Sequence, residues 1–195
     1  MHLSQIASQN PNKPAYIMAG SGQTVTYEGL EAGSNQLAQL FRSLGLMRGD
    51  HIAILLENHA LFLQICVAAQ RAGIYYTAIS YRLQSDEVEY IVNDCGARVF
   101  ITSIDRRAVV EPLIGRLENL DQFFMLDGVI AGFESLEAAM SNQSTQMIED
   151  ESIGTSMLYS SGTTGRPKGV YRQLPEGVWG EEDAGAMFRA LYQAQ

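Results

Sequence analysis

Residues 51–80, HIAILLENHALFLQICVAAQRAGIYYTAIS, decide the fold. HIAILLE (51–57) reads as a buried strand. ALFLQICVAAQRAG (60–73) is long enough for a helix and closes on Gly73, where a left-handed backbone can end it. IYYTAIS (74–80) is the next strand. A strand, a covering helix and a second strand form the unit from which parallel sheets are built.

The alternation continues toward the C-terminus. SDEVEYIVNDCG (85–96) is a predicted helix, started by Ser85 with acids in its first turn. ARVFITS (97–103) is a strand, and the stretch after it holds a helix disturbed near Pro112. FFML (123–126) is a strand and FESLEAAM (133–140) a short helix. TSMLYS (155–160) reads as the last strand. SNQSTQMIEDES (141–152) is the most linker-like piece.

Toward the N-terminus, AYIMA (15–19) and QTVTY (23–27) form a predicted hairpin through Gly20, Ser21 and Gly22. Leu30, Leu37, Leu40, Phe41 and Leu44 then recur at helical spacing, with polar Glu31, Asn35, Gln36, Gln39 and Arg42 between them. The expected fold class is α/β, a mostly parallel sheet with helices on both faces.

The chain has 195 residues, 46% hydrophobic and 18% charged, which is globular composition. Its formal net charge of −9 argues against nucleic acid or an anionic membrane as partner, since both need a basic surface. No signal peptide is visible, and no window approaches the ~18 apolar residues of a membrane span. The expected location is cytoplasmic. Cys66 and Cys95 lack metal-ligand or CxxC spacing and read as reduced, buried thiols. No cluster of His, Cys and acid residues has metal-ligand spacing, so no protein metal site is expected. His2, His51, His59 and Trp179 read as structural, and no catalytic residue is assigned.

YSSGTTGRPKGV (159–170) stands apart from this background. Gly162, Gly165 and Gly169 allow turns that side chains forbid and expose N–H groups to an anion. Ser160, Ser161, Thr163 and Thr164 add hydroxyl donors, Lys168 adds a cation, and Pro167 stiffens the approach to it. Arg166 is expected to face solvent. The Walker pattern G-x-x-x-x-G-K-[ST] does not fit, because Pro167 falls where its second glycine belongs and Gly169 follows Lys168.

The stretch resembles the phosphate-loop signature of the adenylate-forming superfamily, which includes acyl-CoA synthetases, peptide-synthetase adenylation domains and luciferases. VTYEGLEAGSNQLAQLFRSLGLMRGDHIAILLEN and AAQRAGIYYTAISYRLQSDEVEYIVNDCGARVFIT resemble the segments before it, so the likeness spans about residues 10–180. Within the superfamily, the stretch after the motif and RALYQAQ look most like fatty-acid–CoA ligases. The resemblance implies a two-step reaction: a carboxylate attacks the α-phosphate of ATP, and coenzyme A thiolate then displaces AMP. It implies that Ser160, Ser161, Gly162, Thr163, Thr164, Gly165 and Lys168 bind ATP phosphates together with Mg²⁺.

The same resemblance implies a division of residues 1–195 as a partial N-terminal AMP-binding domain, with the phosphate loop at 159–170 and a terminal helix at 180–195. The family's later adenine, ribose and lysine segments have no counterpart here. Met187 with Leu191, and Phe188 with Tyr192, give the terminal helix an apolar surface that ends without a cap. The chain is therefore expected to be cut short, inactive alone, and open to self-association through that helix. The alternative is a non-catalytic nucleotide- or acyl-binding module, or an interaction protein.

Overall fold

Side-chain alternation in the central strands sorts the interior into two layers, and the helices follow it. The structure, a computed structural model, describes residues 2–117, 119–160 and 166–180. Helix α1 (Leu3–Gln9) leads into a hairpin of β1 (Pro14–Ile17) and β2 (Thr24–Thr26), then α2 (Tyr27–Ser43). Next come β3 (His51–Leu55), α3 (Phe62–Arg71), β4 (Tyr75–Ile79), α4 (Ser85–Asp94) and β5 (Ala97–Ser103). The chain continues through α5 (Arg107–Val110), β6 (Gln122–Leu126), β7 (Glu134–Ser135) and α6 (Leu136–Ser141). The last elements among the described residues are β8 (Thr155–Ser156), β9 (Leu158–Ser160) and β10 (Lys168–Val170).

Six strands form one sheet in the order β7-β6-β5-β3-β4-β8. Every pairing in it is parallel. Ile52 and Ile54 point into a layer with Leu37 and Phe41 of α2, Ile65 and Ala69 of α3, and Leu136 of α6. Ala53 and Leu55 point to the opposite layer, with Val88, Ile91 and Val92 of α4 and Val110 of α5. The α/β class with helices on both faces is thus the observed one, and β3 is buried from Ile52 to Leu55 because both its faces are covered.

Several boundaries differ from the sequence reading, each for a local reason. TSMLYS is not one strand: Thr155–Ser156 joins the sheet beside β4, while Leu158–Ser160 pairs antiparallel with Lys168–Val170. The cap of α4 is Gln84, whose N–H donates to Glu87 at 3.0 Å, and Ser85 instead donates to the Val109 carbonyl at 2.7 Å. The helix expected near Pro112 is short turns of 3-10 geometry around α5, since proline ends the α-helical ladder. The linker-like residues 141–152 are strapped to α2. Asn35 donates to the Thr145 carbonyl at 2.9 Å, Gln36 to that of Gln143 at 3.2 Å, and Gln39 to that of Gln146 at 3.0 Å. The predicted terminal helix, beyond Gly180, lies outside the described residues.

Both cysteines are free and buried. Burial pushes the Cys66 thiol up to about 12. It raises the Cys95 thiol as well. An unfolded cysteine ionises near pH 8.5, as model thiols do. Because the folded value is the higher one, the thiols' share of stability is complete below the unfolded value and is lost as pH rises toward the folded one. Native chain should therefore resist a thiol reagent at pH 8 and react at both cysteines in guanidinium. Rapid labelling of the native chain at either site would contradict this burial.

Candidate functional site

The hairpin of β9 and β10 carries the motif, and its register fixes which motif side chains share a face. Ser160 lies opposite Lys168, Tyr159 opposite Gly169, and Leu158 opposite Val170. Side chains alternate along each strand. Leu158, Ser160, Lys168 and Val170 accordingly form one exposed face, while Tyr159 and Gly169 turn inward and are part-buried. Of the seven candidate phosphate ligands, Ser160 and Lys168 are brought together as cross-strand partners at the loop end of this ladder. Ser161, Gly162, Thr163, Thr164 and Gly165 lie outside the described residues.

Gly169 differs from its sequence reading. It does not supply a turn; it sits in β10, and the space its Cβ would need is taken. A Cβ there would lie 3.1 Å from Tyr159 Cζ and 3.2 Å from its hydroxyl. Glycine at this position lets the Tyr159 ring cross the neighbouring strand.

The hairpin is joined to the sheet at its base. Met157 donates its N–H to the Tyr76 carbonyl at 3.0 Å and buries its side chain in the α4-side layer. Tyr75 donates its hydroxyl to the Arg172 carbonyl at 2.6 Å, and Tyr171 lies 5.2 Å from the Tyr75 ring. Burial lifts the Tyr75 phenol to about 12, so it remains a donor across the ordinary pH range.

Charge differs between the two sides of the hairpin. The outer face presents Lys168, which has no ion-pair partner among the described residues, and a small cavity of about 310 Å³ is lined by its cross-strand partner Ser160 with Ser156, Leu158 and Arg172. The inner side meets α4 across a cavity of about 630 Å³ lined by Asp86, Glu87, Glu89 and Asp94 with Arg166 and Pro167. Arg166 is exposed, as expected, yet its guanidinium carbon sits 5.5 Å from the centre of the Tyr90 ring. An anion would meet a cation on the outer face and carboxylates on the inner one.

A larger cavity of about 730 Å³ opens where the chain leaves β3 and β4, bounded by Leu56, Glu57, His59, Ser80 and Tyr81. It lies at the carboxyl ends of β3 and β4, the end of an open α/β sheet at which ligands gather, with residues 16–21 forming its other wall. His59 is fully engaged there. Its Nδ1 accepts from the Leu61 N–H at 3.1 Å, leaving Nε2 to donate to Asp127 at 3.1 Å. The first of these bonds ties His59 to the start of α3, in keeping with its structural reading. Glu57 accepts from Ser103 at 2.7 Å and pairs with Arg106 at 3.4 Å. Among the described residues, no group of three or more His, Cys, Asp or Glu could hold a metal ion.

An open parallel sheet with a glycine- and hydroxyl-rich hairpin on its edge defines an α/β domain of the doubly wound type. The model of the AMP-binding enzyme family matches residues 3–176, and the chain belongs to that family. It is 28% identical over 169 residues to the long-chain-fatty-acid–CoA ligase FadD13 of Mycobacterium tuberculosis, covering 86% of this chain and 33% of the relative. An anthranilate CoA ligase solved with anthranoyl-AMP superposes with a TM-score of 0.78 at 26% identity, over 86% of this chain and 33% of that one. A putative long-chain-fatty-acid CoA ligase from Rhodopseudomonas palustris shares the fold over 98% of this chain and 46% of its own, with a TM-score of 0.79 at 20% identity. The chain thus spans a third or less of the length of the curated relatives it matches. Among the described residues, no helix is long and apolar enough to cross a membrane.

Proposed function

We propose that this chain supplies the phosphate-loop portion of an ATP-dependent acid–thiol ligase. In that reaction a carboxylate oxygen attacks the α-phosphorus of ATP, the bond to the bridging oxygen breaks, and pyrophosphate leaves. Coenzyme A thiolate then attacks the acyl carbon of the acyl-adenylate and releases AMP. The observation that carries the reading is the pairing of Ser160 with Lys168 on the exposed face of a hairpin whose strands flank SGTTG in the sequence, within a chain of the AMP-binding family.

The loop's task is to hold the β- and γ-phosphates and to meet the charge that builds on the leaving pyrophosphate. Lys168 does this as a mobile point charge, with Ser160, Ser161, Thr163 and Thr164 as hydroxyl donors and the backbone around Gly162 and Gly165 as further donors. Mg²⁺ enters with the nucleotide as Mg·ATP, where it would offset the charge of the phosphate oxygens. The names of the relatives and neighbours support coenzyme A as second substrate and a fatty or aromatic acid as the carboxylate.

Lys168→Ala should weaken binding of Mg·ATP to the 195-residue chain about tenfold or more, because hydrogen bonds to a charged partner are worth about 1.5–3 kcal/mol. Isothermal titration reads this directly, and an unchanged affinity would remove Lys168 from the site. Carboxylate-dependent ATP–pyrophosphate exchange, measured across fatty and aromatic acids, separates a ligase from a module that binds nucleotide without chemistry.

A further inference from the structure

Tyr90 and Asp94 stand one turn apart on α4, and both meet the phosphate hairpin from its inner side. Asp94 Oδ2 accepts a hydrogen bond from the Tyr159 hydroxyl at 2.5 Å. The Tyr90 ring lies under the Arg166 guanidinium at 5.5 Å. Tyr159 and Arg166 flank residues 161–165, one on each arm. Each arm therefore has a tether of its own to a single helix face, in addition to the ladder between β9 and β10.

We propose that Tyr90 and Asp94 are positioning residues that set the separation of the two arms of the phosphate loop, and that Arg166 serves this anchor rather than the phosphates. The inference rests on reading residues 159–170 as a phosphate loop. Three features carry it. The spacing of Tyr90 and Asp94 is i, i+4, which puts both on one stripe of the helix. Gly169 leaves room for the Tyr159 ring to cross β10 on its way to Asp94. Asp86, Glu87 and Glu89 line the cavity that Arg166 shares, Asp86 and Glu89 pairing there with Arg116, so that side presents carboxylates and disfavours a triphosphate.

Anchored arms lose less ordering entropy when a ligand closes on them than free arms do. The anchor should therefore appear in affinity. Titrations of the 195-residue chain with Mg·ATP and with Mg·pyrophosphate provide the test. Tyr90→Leu should weaken binding of both about two- to fivefold, the range an exposed cation–π contact allows. Tyr90→Phe, which keeps the ring face, should restore it. Asp94→Ala should weaken binding about tenfold, whereas Asp94→Asn keeps an acceptor for Tyr159 and recovers most of the loss. Tyr90→Leu added to Arg166→Ala should cost nothing further. Binding by Tyr90→Phe as weak as that by Tyr90→Leu, or additive losses in the double variant, would overturn the anchor.

Lys168→Ala keeps the two readings apart. If it weakens binding while the α4 variants bind like wild type, the phosphate loop stands and the anchor falls. If wild type shows no binding, the phosphate-loop reading fails, and amide hydrogen exchange of residues 158–170 decides the anchor by itself. Exchange there should quicken in Tyr90→Leu and Asp94→Ala and not in Tyr90→Phe. Unchanged exchange in all three would sink the proposal.

Discussion

Arg71→Met should lower the free energy of unfolding by about 3–5 kcal/mol, the cost of removing one partner from a buried ion pair. Arg71 is the last residue of α3 and is fully buried, at 0% exposure. Its guanidinium donates to Glu31 of α2 at 2.7 Å and 3.4 Å, and its Nε lies 3.5 Å from Glu151. The Trp179 ring covers it at 4.8 Å. The two carboxylates are 13% and 9% exposed, so methionine would leave both nearly dry, Glu31 with the Asn35 amide and Glu151 with the His2 ring as remaining partners. Natural domains hold only about 5–15 kcal/mol in total, so a loss of this size takes a large share of it.

Urea melts of wild type and Arg71→Met measure the difference. The triple variant Arg71→Met, Glu31→Gln, Glu151→Gln should recover much of the loss, since it removes the uncompensated charges together with their partner. A single variant within about 0.5 kcal/mol of wild type, the range of ordinary surface changes, would mean that this pair is hydrated in solution.

The amino-acid sequence carries the sheet better than the ties around it. β5 covers Ala97–Ser103 as read from ARVFITS, because a glycine turn and a helix end bound an apolar run too short to be anything else. Arg71 had no such signal. On the helix pattern it is one basic residue before a closing glycine, and only the fold reveals that α2 and residue 151 converge on it. Asn35, Gln36 and Gln39 likewise read as a polar helix face, yet they serve as donors that hold residues 143–146. The break within TSMLYS was hidden for a similar reason. Nothing between Thr155 and Ser160 interrupts the strand pattern, and the break is set by which neighbour takes each backbone hydrogen bond. α1 and the two-residue β7 are too short to leave a periodic trace.

At the candidate site, the density of glycine, hydroxyl and lysine is what singles out residues 159–170 in the sequence. Tyr90 and Asp94 are illegible by the same standard. They belong to an ordinary amphipathic helix, and their meeting with Tyr159 and Arg166 exists only in three dimensions.

Gly154→Ala should combine a loss of stability with a loss of nucleotide affinity, because Gly154 is where the hairpin's strand enters the sheet. Its N–H donates to the Gln70 carbonyl at 2.6 Å, and Ser152 donates to that of Arg71 at 3.0 Å. Both acceptors are carbonyls of the last turn of α3, which have no partner within the helix. The next two residues then pair with Tyr75 and Tyr76 of β4. An added Cβ would fall on the carbonyl oxygens of Ala69 and Ile74 and 2.7 Å from the Ile74 nitrogen. All three are backbone atoms of the α3–β4 turn, and no side-chain rotation relieves the overlap. Either the 2.9 Å bond from Ile74 N–H to the Ala69 carbonyl opens, or β8 moves away from β4. Overpacking of this kind costs about 1–3 kcal/mol or more. A moved β8 also carries β9 with it, which shifts Tyr159 from Asp94 and Ser160 from its place beside the loop. Gly20→Ala is the control, since its Cβ would meet nothing within 4 Å and should leave stability and Mg·ATP affinity unchanged. If Gly154→Ala melted like wild type, the close approach of residue 154 to the α3–β4 turn would not exist in solution. If it melted early yet bound Mg·ATP normally, the hairpin would hold its geometry independently of the sheet edge it grows from.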